Sequence, residues 1–237
     1  MKKIILCIVV CLIGVVSYAQ NDVAGKPQNL LDKIDRPVVV RDRLVFDIYH
    51  SFWMGTPSQG NFKKFNPGFN VAVLWDFLTP KKGPVSFGLG LGFTYYTQFS
   101  NCVLKMDKEA DAMKYYLIPD NIDYKLNRVS YVNCHIPFEI RYRHSSGFKI
   151  GIGINVGLVA GMSHRYKGDD FNGVEDDFLN YKNKDFYYKQ KFSADVYLRM
   201  GWKAFGVFYS YQLNKVFDEG KGPKMYPMSV GVSISLF

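Results

Sequence analysis

The chain has 237 residues, 48% of them hydrophobic and 16% aromatic, with a formal net charge of +9 at pH 7. That length allows one domain with an appendage. The basic residues are scattered over turns and loops, as in Lys63-Lys64 and Lys81-Lys82, and form no basic stripe interleaved with aromatics, so nucleic acid is not an expected partner.

Residues 1–19 read as a secretory signal peptide. Lys2 and Lys3 form the basic start, Ile4–Val16 the apolar run, and Ser17-Tyr18-Ala19 a small-x-small cleavage site, so the mature chain is expected to begin at Gln20. The apolar run is shorter than the roughly 20 residues a spanning helix needs. Cleavage removes Lys2 and Lys3, lowering the net charge from +9 to +7, and removes Cys7 and Cys11. Cys102 falls in an expected loop and Cys134 in mid-strand, a placement that does not favour disulfide geometry, so two free thiols are expected. Residues 20–42 are polar, carry Pro27 and Pro37, and read as a periplasmic leader.

From residue 43 to 237 the pattern changes to period 2, the signature of β-strands with two unlike faces. The clearest strand is Val85–Phe99, where Val85, Phe87, Leu89, Leu91 and Phe93 alternate with Ser86, Gly88, Gly90, Gly92 and Thr94. Its fifteen residues far exceed the common strand length of about 5–6. Similar alternation marks Leu44–Trp53, Phe69–Phe77, Val129–Arg143, Phe148–Met162, Phe192–Gly201, Phe205–Leu213 and Met228–Phe237. The connections run long, short, long, short. Short ones are Thr79–Pro84, His144–Gly147 and Trp202–Ala204; long ones are Met54–Gly68, Ser100–Arg128, Ser163–Lys191 and Asn214–Pro227. Short inner turns, long outer loops and an even strand count predict an all-β fold, an eight-stranded antiparallel up-and-down transmembrane β-barrel. The polar face is rich in Gly, Ser and Asn rather than the Lys, Glu and Thr of an open-water face, which favours a filled lumen inside over a lipocalin-like barrel with its apolar face inward. Pro137 cannot donate to a ladder, and a local bulge without a register slip is expected there. Met106–Tyr116 is expected as a short helix in the second outer loop, capped by Asp107.

The signal peptide, RLVFDIYHSFW in the first strand, GLGLGFTYY in the third and YVNCHIPFEIRYR in the fourth resemble the PorT-like family of small outer-membrane β-barrel proteins, over about Leu44–Phe237. The resemblance implies a cell outer-membrane location. Its name-giving member is linked to a secretion apparatus, but no residue here carries that role across. The expected surroundings are outer-membrane lipids and lipopolysaccharide, whose phosphates suit a basic protein, with envelope proteins as further partners and a monomer as the expected state.

Some eight-stranded barrels are lipid-modifying enzymes that pair a His with a Ser near the outer interface. Here His50 and Ser51 are adjacent, so parity sends them to opposite faces; His135 lacks a matching serine; and His144-Ser145-Ser146 reads as turn chemistry. No catalytic, cofactor-binding or metal residues and no cofactor are assigned. The acidic piece Asp169-Asp170 through Glu175-Asp176-Asp177 lacks the ligand spacing of a calcium loop. The polar-face charges Asp47, Asp76, Glu139, Arg141, Lys149, Asp195 and Arg199 are all placed in the periplasmic half of the lumen, where Gly88, Gly90, Gly151 and Gly153 leave room for long side chains. They are expected to form a salt-bridged plug. The function this supports is a structural or interaction barrel whose outer loops contact partners or surface glycans; the alternative is a lipid-modifying barrel enzyme. An open pore is disfavoured, because about eight strands enclose only enough space for side chains.

Overall fold

Alternating sequence becomes alternating burial in the computed structural model, which describes residues 40–236 apart from 59, 63–64, 79–83, 172–177 and 185. The signal peptide, the leader as far as residue 39, the Lys63-Lys64 and Lys81-Lys82 pairs and Phe237 lie outside the described residues.

The strands are β1 (Val40–Met54), β2 (Pro67–Leu78), β3 (Val85–Phe99), β4 (Cys102–Asp107), β5 (Ala112–Leu117), β6 (Tyr124–Arg143), β7 (Phe148–Asp169), β8 (Phe178–Asn183), β9 (Phe192–Trp202), β10 (Phe205–Gln212) and β11 (Tyr226–Leu236). β1 thus takes in Val40, Arg41 and Asp42 of the segment read as leader. Eight strands close a ring in the order β1, β2, β3, β6, β7, β9, β10, β11, and β11 pairs back with β1, antiparallel throughout. A closed ring leaves no edge unpaired, as a spanning sheet requires in lipid.

The molecule is inside out relative to a water-soluble protein. Ile140, Ile152, Leu158, Leu91 and Val232 are exposed, while Asp47, Ser51, Asp76, Asn133 and Ser229 are completely buried. Exposed apolar groups are common, but a continuous belt of them over a buried polar interior marks a lipid-facing wall. Cys134 stands on this outer wall as an exposed free thiol.

Three local expectations are corrected. Met106–Tyr116 is not a helix: it belongs to the β4–β5 hairpin. Asp107 does accept the backbone N–H groups of Glu109 (3.0 Å) and Ala110 (3.1 Å), the bonds an N-cap would make, but Asp111 takes φ +46° and turns the chain back. The same capping chemistry therefore closes a hairpin turn. Cys102, assigned to a loop, is buried in β4. The bulge lies away from Pro137, which stays in register with Asn155; the β6–β7 irregularity falls between Val132 and Asn133, where β7 steps from Gly161 to Val159 past Ala160. On its other side the β3 ladder has a gap opposite Ile136 and Pro137, and the register is the same before (Leu89 with Phe138) and after (Gly92 with His135). The missing N–H is accommodated by giving up ladder contacts, not by inserting a residue.

If the apolar wall faces lipid, Ile152→Arg should lower stability in bilayers by about 2–4 kcal/mol, the cost of a cation near the midplane. Denaturant titration of the protein folded into vesicles measures it; an unchanged midpoint would mean the wall is not in lipid.

Candidate functional site in a closed lumen

The inward-facing side chains form two layers. The lower is ionic. Arg199 on β9 donates from Nε to Asp47 Oδ1 (3.2 Å), from Nη2 to Asp47 Oδ2 (2.7 Å), and from Nη1 to Glu139 Oε2 (2.7 Å). Asp47 is on β1 and Glu139 on β6, neither of which neighbours β9 in the ring, so these bonds cross the lumen. The guanidinium also stacks 4.4 Å from the Tyr197 ring centroid and 5.1 Å from that of Phe208, a second use of the planar group. Arg141 donates to both Asp76 oxygens, at 2.8 and 2.9 Å, and pairs with Glu139; Arg143 also pairs with Asp76, and Arg43 stands 3.7 Å from it. Asp47 extends the network upward: it accepts from Asn70 (2.7 Å), whose Oδ1 accepts from Thr94 (3.1 Å), which lies 3.3 Å from His135 Nδ1.

Small residues make room for these arms. A Cβ on Gly151 would sit 2.5 Å from Glu139 Oε1, and one on Gly92 would run into the His135 ring. What space remains among Arg43, Glu139, Arg141, Lys149 and Arg199 is about 10 Å³, room for roughly one water.

Asp195 departs from the expected arrangement. It lies near the outer end of β9, opposite Gln212 and Asn155 in the ladders, and above the ion pairs. Its side chain is buried, its Oδ1 has no partner, and it makes no ion pair with the described arginines and lysines. β9 descends from Phe192 to the short turn after Trp202, so Asp195 stands four positions above Arg199; assigning it to the lower half misjudged height, not face. Arg43 and Arg143, in turn, join the ionic layer without having been assigned to it.

The top layer is aromatic. Tyr49, Tyr96, Tyr131, Tyr197 and Phe208 fill the lumen and continue into one cluster with Phe186, Val216, Phe217 and Met225 from the outer connections and Leu104 and Met113 from the hairpin. The five rings sit on the polar parity of their strands, and that inward parity was the signal that could have found the layer. Above it the outer segments bond to one another. Met113 N–H donates to Lys221 O (2.9 Å), Gln190 N–H to Val216 O (2.9 Å), and Asp218 N–H to Tyr188 O (2.8 Å); Tyr188 Oη donates to Asp111 (2.7 Å), which also pairs with Lys221. On the β7 extension beyond the apolar belt, His164 bonds to Asn127, and burial pushes its imidazole down to about 4, keeping it neutral. Hydrogen bonding to Lys114 and to the Ala110 amide holds the Asp107 carboxyl down at about 2.

The His–Ser candidates are all engaged structurally. His50 Nδ1 accepts from the Asn66 N–H (2.9 Å) and its ring stacks on Phe65, while Ser51 is buried in the lumen on the other face. His135 belongs to the Asn70–Thr94 chain. His144 bonds to Ser146 within its own turn (2.8 Å). Among the described residues, no group of three His, Cys, Asp or Glu side chains is placed to hold a metal.

No protein-family profile matches the chain, and no curated protein is significantly similar to it in sequence. Among solved structures it is similar to Ail, the attachment invasion locus protein of Yersinia pestis, in complex with the heparin analogue sucrose octasulfate, at 9% identity and a TM-score of 0.39, over 83% of this chain and 99% of that one. It is also similar to Neisserial surface protein A, at 11% identity and a TM-score of 0.35, over 82% and 96%.

The ionic layer predicts opposite outcomes for two neighbours on β9. Arg199→Ala leaves buried Asp47 without a cation and Glu139 with Arg141 alone, and should cost about 3–5 kcal/mol. Asp195→Asn removes a buried carboxylate that has no cation and should leave the unfolding midpoint unchanged or raised. Denaturant titration in detergent checks both; an Arg199→Ala protein as stable as wild type would contradict the plug.

Proposed function

We propose that this protein resides in the outer membrane of a Gram-negative envelope and acts through its outer surface, as a structural or interaction barrel and not as an enzyme or a pore. The observation that carries this reading is the double closure of the lumen. With ion pairs below and packed aromatics above, the interior offers no path, and the outer connections fold into a self-bonded cap. A cap ordered before binding loses less entropy on meeting a partner. Its exposed Lys125, Lys182, Lys184, Lys191 and Lys224 suit phosphates of lipopolysaccharide or acidic surface glycans, and envelope proteins are the other partners it fits. The resemblance of the strand motifs to the PorT-like family supports the same location. The opposed faces of His50 and Ser51 argue against the lipid-modifying alternative.

Cell fractionation and lipid mass spectrometry test this together. The protein should travel with the outer membrane, and its deletion should leave lipid A and phospholipid acylation unchanged. Recovery in the soluble periplasm would contradict the location. An acyl change restored by wild type but not by His50→Ala would establish the enzyme alternative.

A further inference from the structure

Below the ionic layer the lumen opens into a cavity of about 360 Å³ at the periplasmic mouth, within the size range of small-molecule sites. Its lining brings together Arg43, Arg143, His144, Lys149 and Lys203 and, among the described residues, no acidic side chain. The ion pairs above do not balance this charge. Arg43, Arg141, Arg143 and Arg199 share three carboxylates, Asp47, Asp76 and Glu139. Lys149 and Lys203 form no ion pair among the described residues. Arg43 is 8% exposed, and its Nε is buried without a hydrogen-bond acceptor. Surplus positive charge with an orphaned donor is costly in a partly dry site unless an anion compensates it.

Backbone bonds tie the mouth together. The Lys203 N–H donates to Gly147 O (2.9 Å), and the Ser235 N–H to Ala204 O (2.8 Å), tying the two inner turns and β11 together. The donors therefore come from β1 (Arg43), the end of β6 (Arg143), the start of β7 (Lys149) and the β9–β10 turn (Lys203), converging from several directions. A planar carboxylate offers two oxygens in one plane to such a ring; a phosphate group presents its oxygens tetrahedrally, with one charge as a diester and nearly two as a monoester. We infer that the periplasmic mouth is a binding site for a phosphate group, held by Arg43, Arg143, Lys149 and Lys203. Trp202 and Phe205 are exposed beside it, as aromatics are at a headgroup boundary, so the phosphate has two sources within reach: an inner-leaflet lipid headgroup or a soluble periplasmic phosphate compound.

Inorganic phosphate is the probe, titrated by calorimetry into the full-length protein in a phosphate-free neutral detergent at constant ionic strength. Wild type should bind it saturably, and Lys149→Gln/Lys203→Gln should weaken binding at least about tenfold, because two charge-assisted contacts are lost. Both lysines stand outside the ion pairs, so the double variant should keep or raise the wild-type thermal midpoint without phosphate; the single Lys203→Gln, on an exposed turn, repeats the comparison if the double variant folds poorly. No saturable binding, or equal affinity in wild type and variants, would overturn the site. Repeating the titration in phosphatidylglycerol nanodiscs identifies the source. Blocked phosphate binding, with retained lipid seen by native mass spectrometry in wild type and lost in the variant, assigns a headgroup; undiminished phosphate binding assigns a soluble compound.

Discussion

One guanidinium holds the interior together. Arg199 reaches across the lumen to Asp47 and Glu139 on strands that do not border its own, and lies against the rings of Tyr197 and Phe208. The ladders fix each strand to its neighbours but say nothing about what fills the ring. That falls to bonds across it, and few side chains have both the reach and the donors; lysine would bring a point charge without the fork. Burying such a charge is unfavourable unless every partner is in place, so the surrounding sequence is constrained: Gly151 must lack a side chain for Glu139 to stand where it does, and Asn70 must hold the other side of Asp47.

The layering follows from the same physics. Charges collect where they pair, at the end of the barrel with the short turns, and the aromatic layer above shields them from the end with the long connections. Among the rings lie Asn133, Asn155, Gln212 and Asp195, whose buried polar atoms include several without protein partners. Asp195 is the one carboxylate among them. The seal is thus made twice, by unlike means, leaving the cap and the periplasmic mouth as the surfaces open to other molecules.

Much of this was legible in the sequence, because period 2 and loop length are local signals. Strand number, the exterior face of Leu89, Ile140 and Ile152, and the lumen position of Asp76, Glu139, Arg141 and Arg199 all follow from parity. What parity cannot supply is height or partner. Asp195 has the right face and the wrong level. Tyr49, Tyr96, Tyr131, Tyr197 and Phe208 also show inward parity, yet their clustering depends on the stagger between strands, which no single strand encodes. Asp107 illustrates a third limit: its bonds to the next turn of backbone are common to a helix cap and a hairpin turn, and only the left-handed Asp111 and the pairing of β4 with β5 decide between them.

The closed lumen is the claim on which the rest stands, and single-channel recording in planar bilayers addresses it most directly. The wild-type protein, inserted and held at moderate voltage, should show no steady conductance, because the ionic layer leaves room for only about one water between its arms. Stable open channels in the wild type would contradict the account.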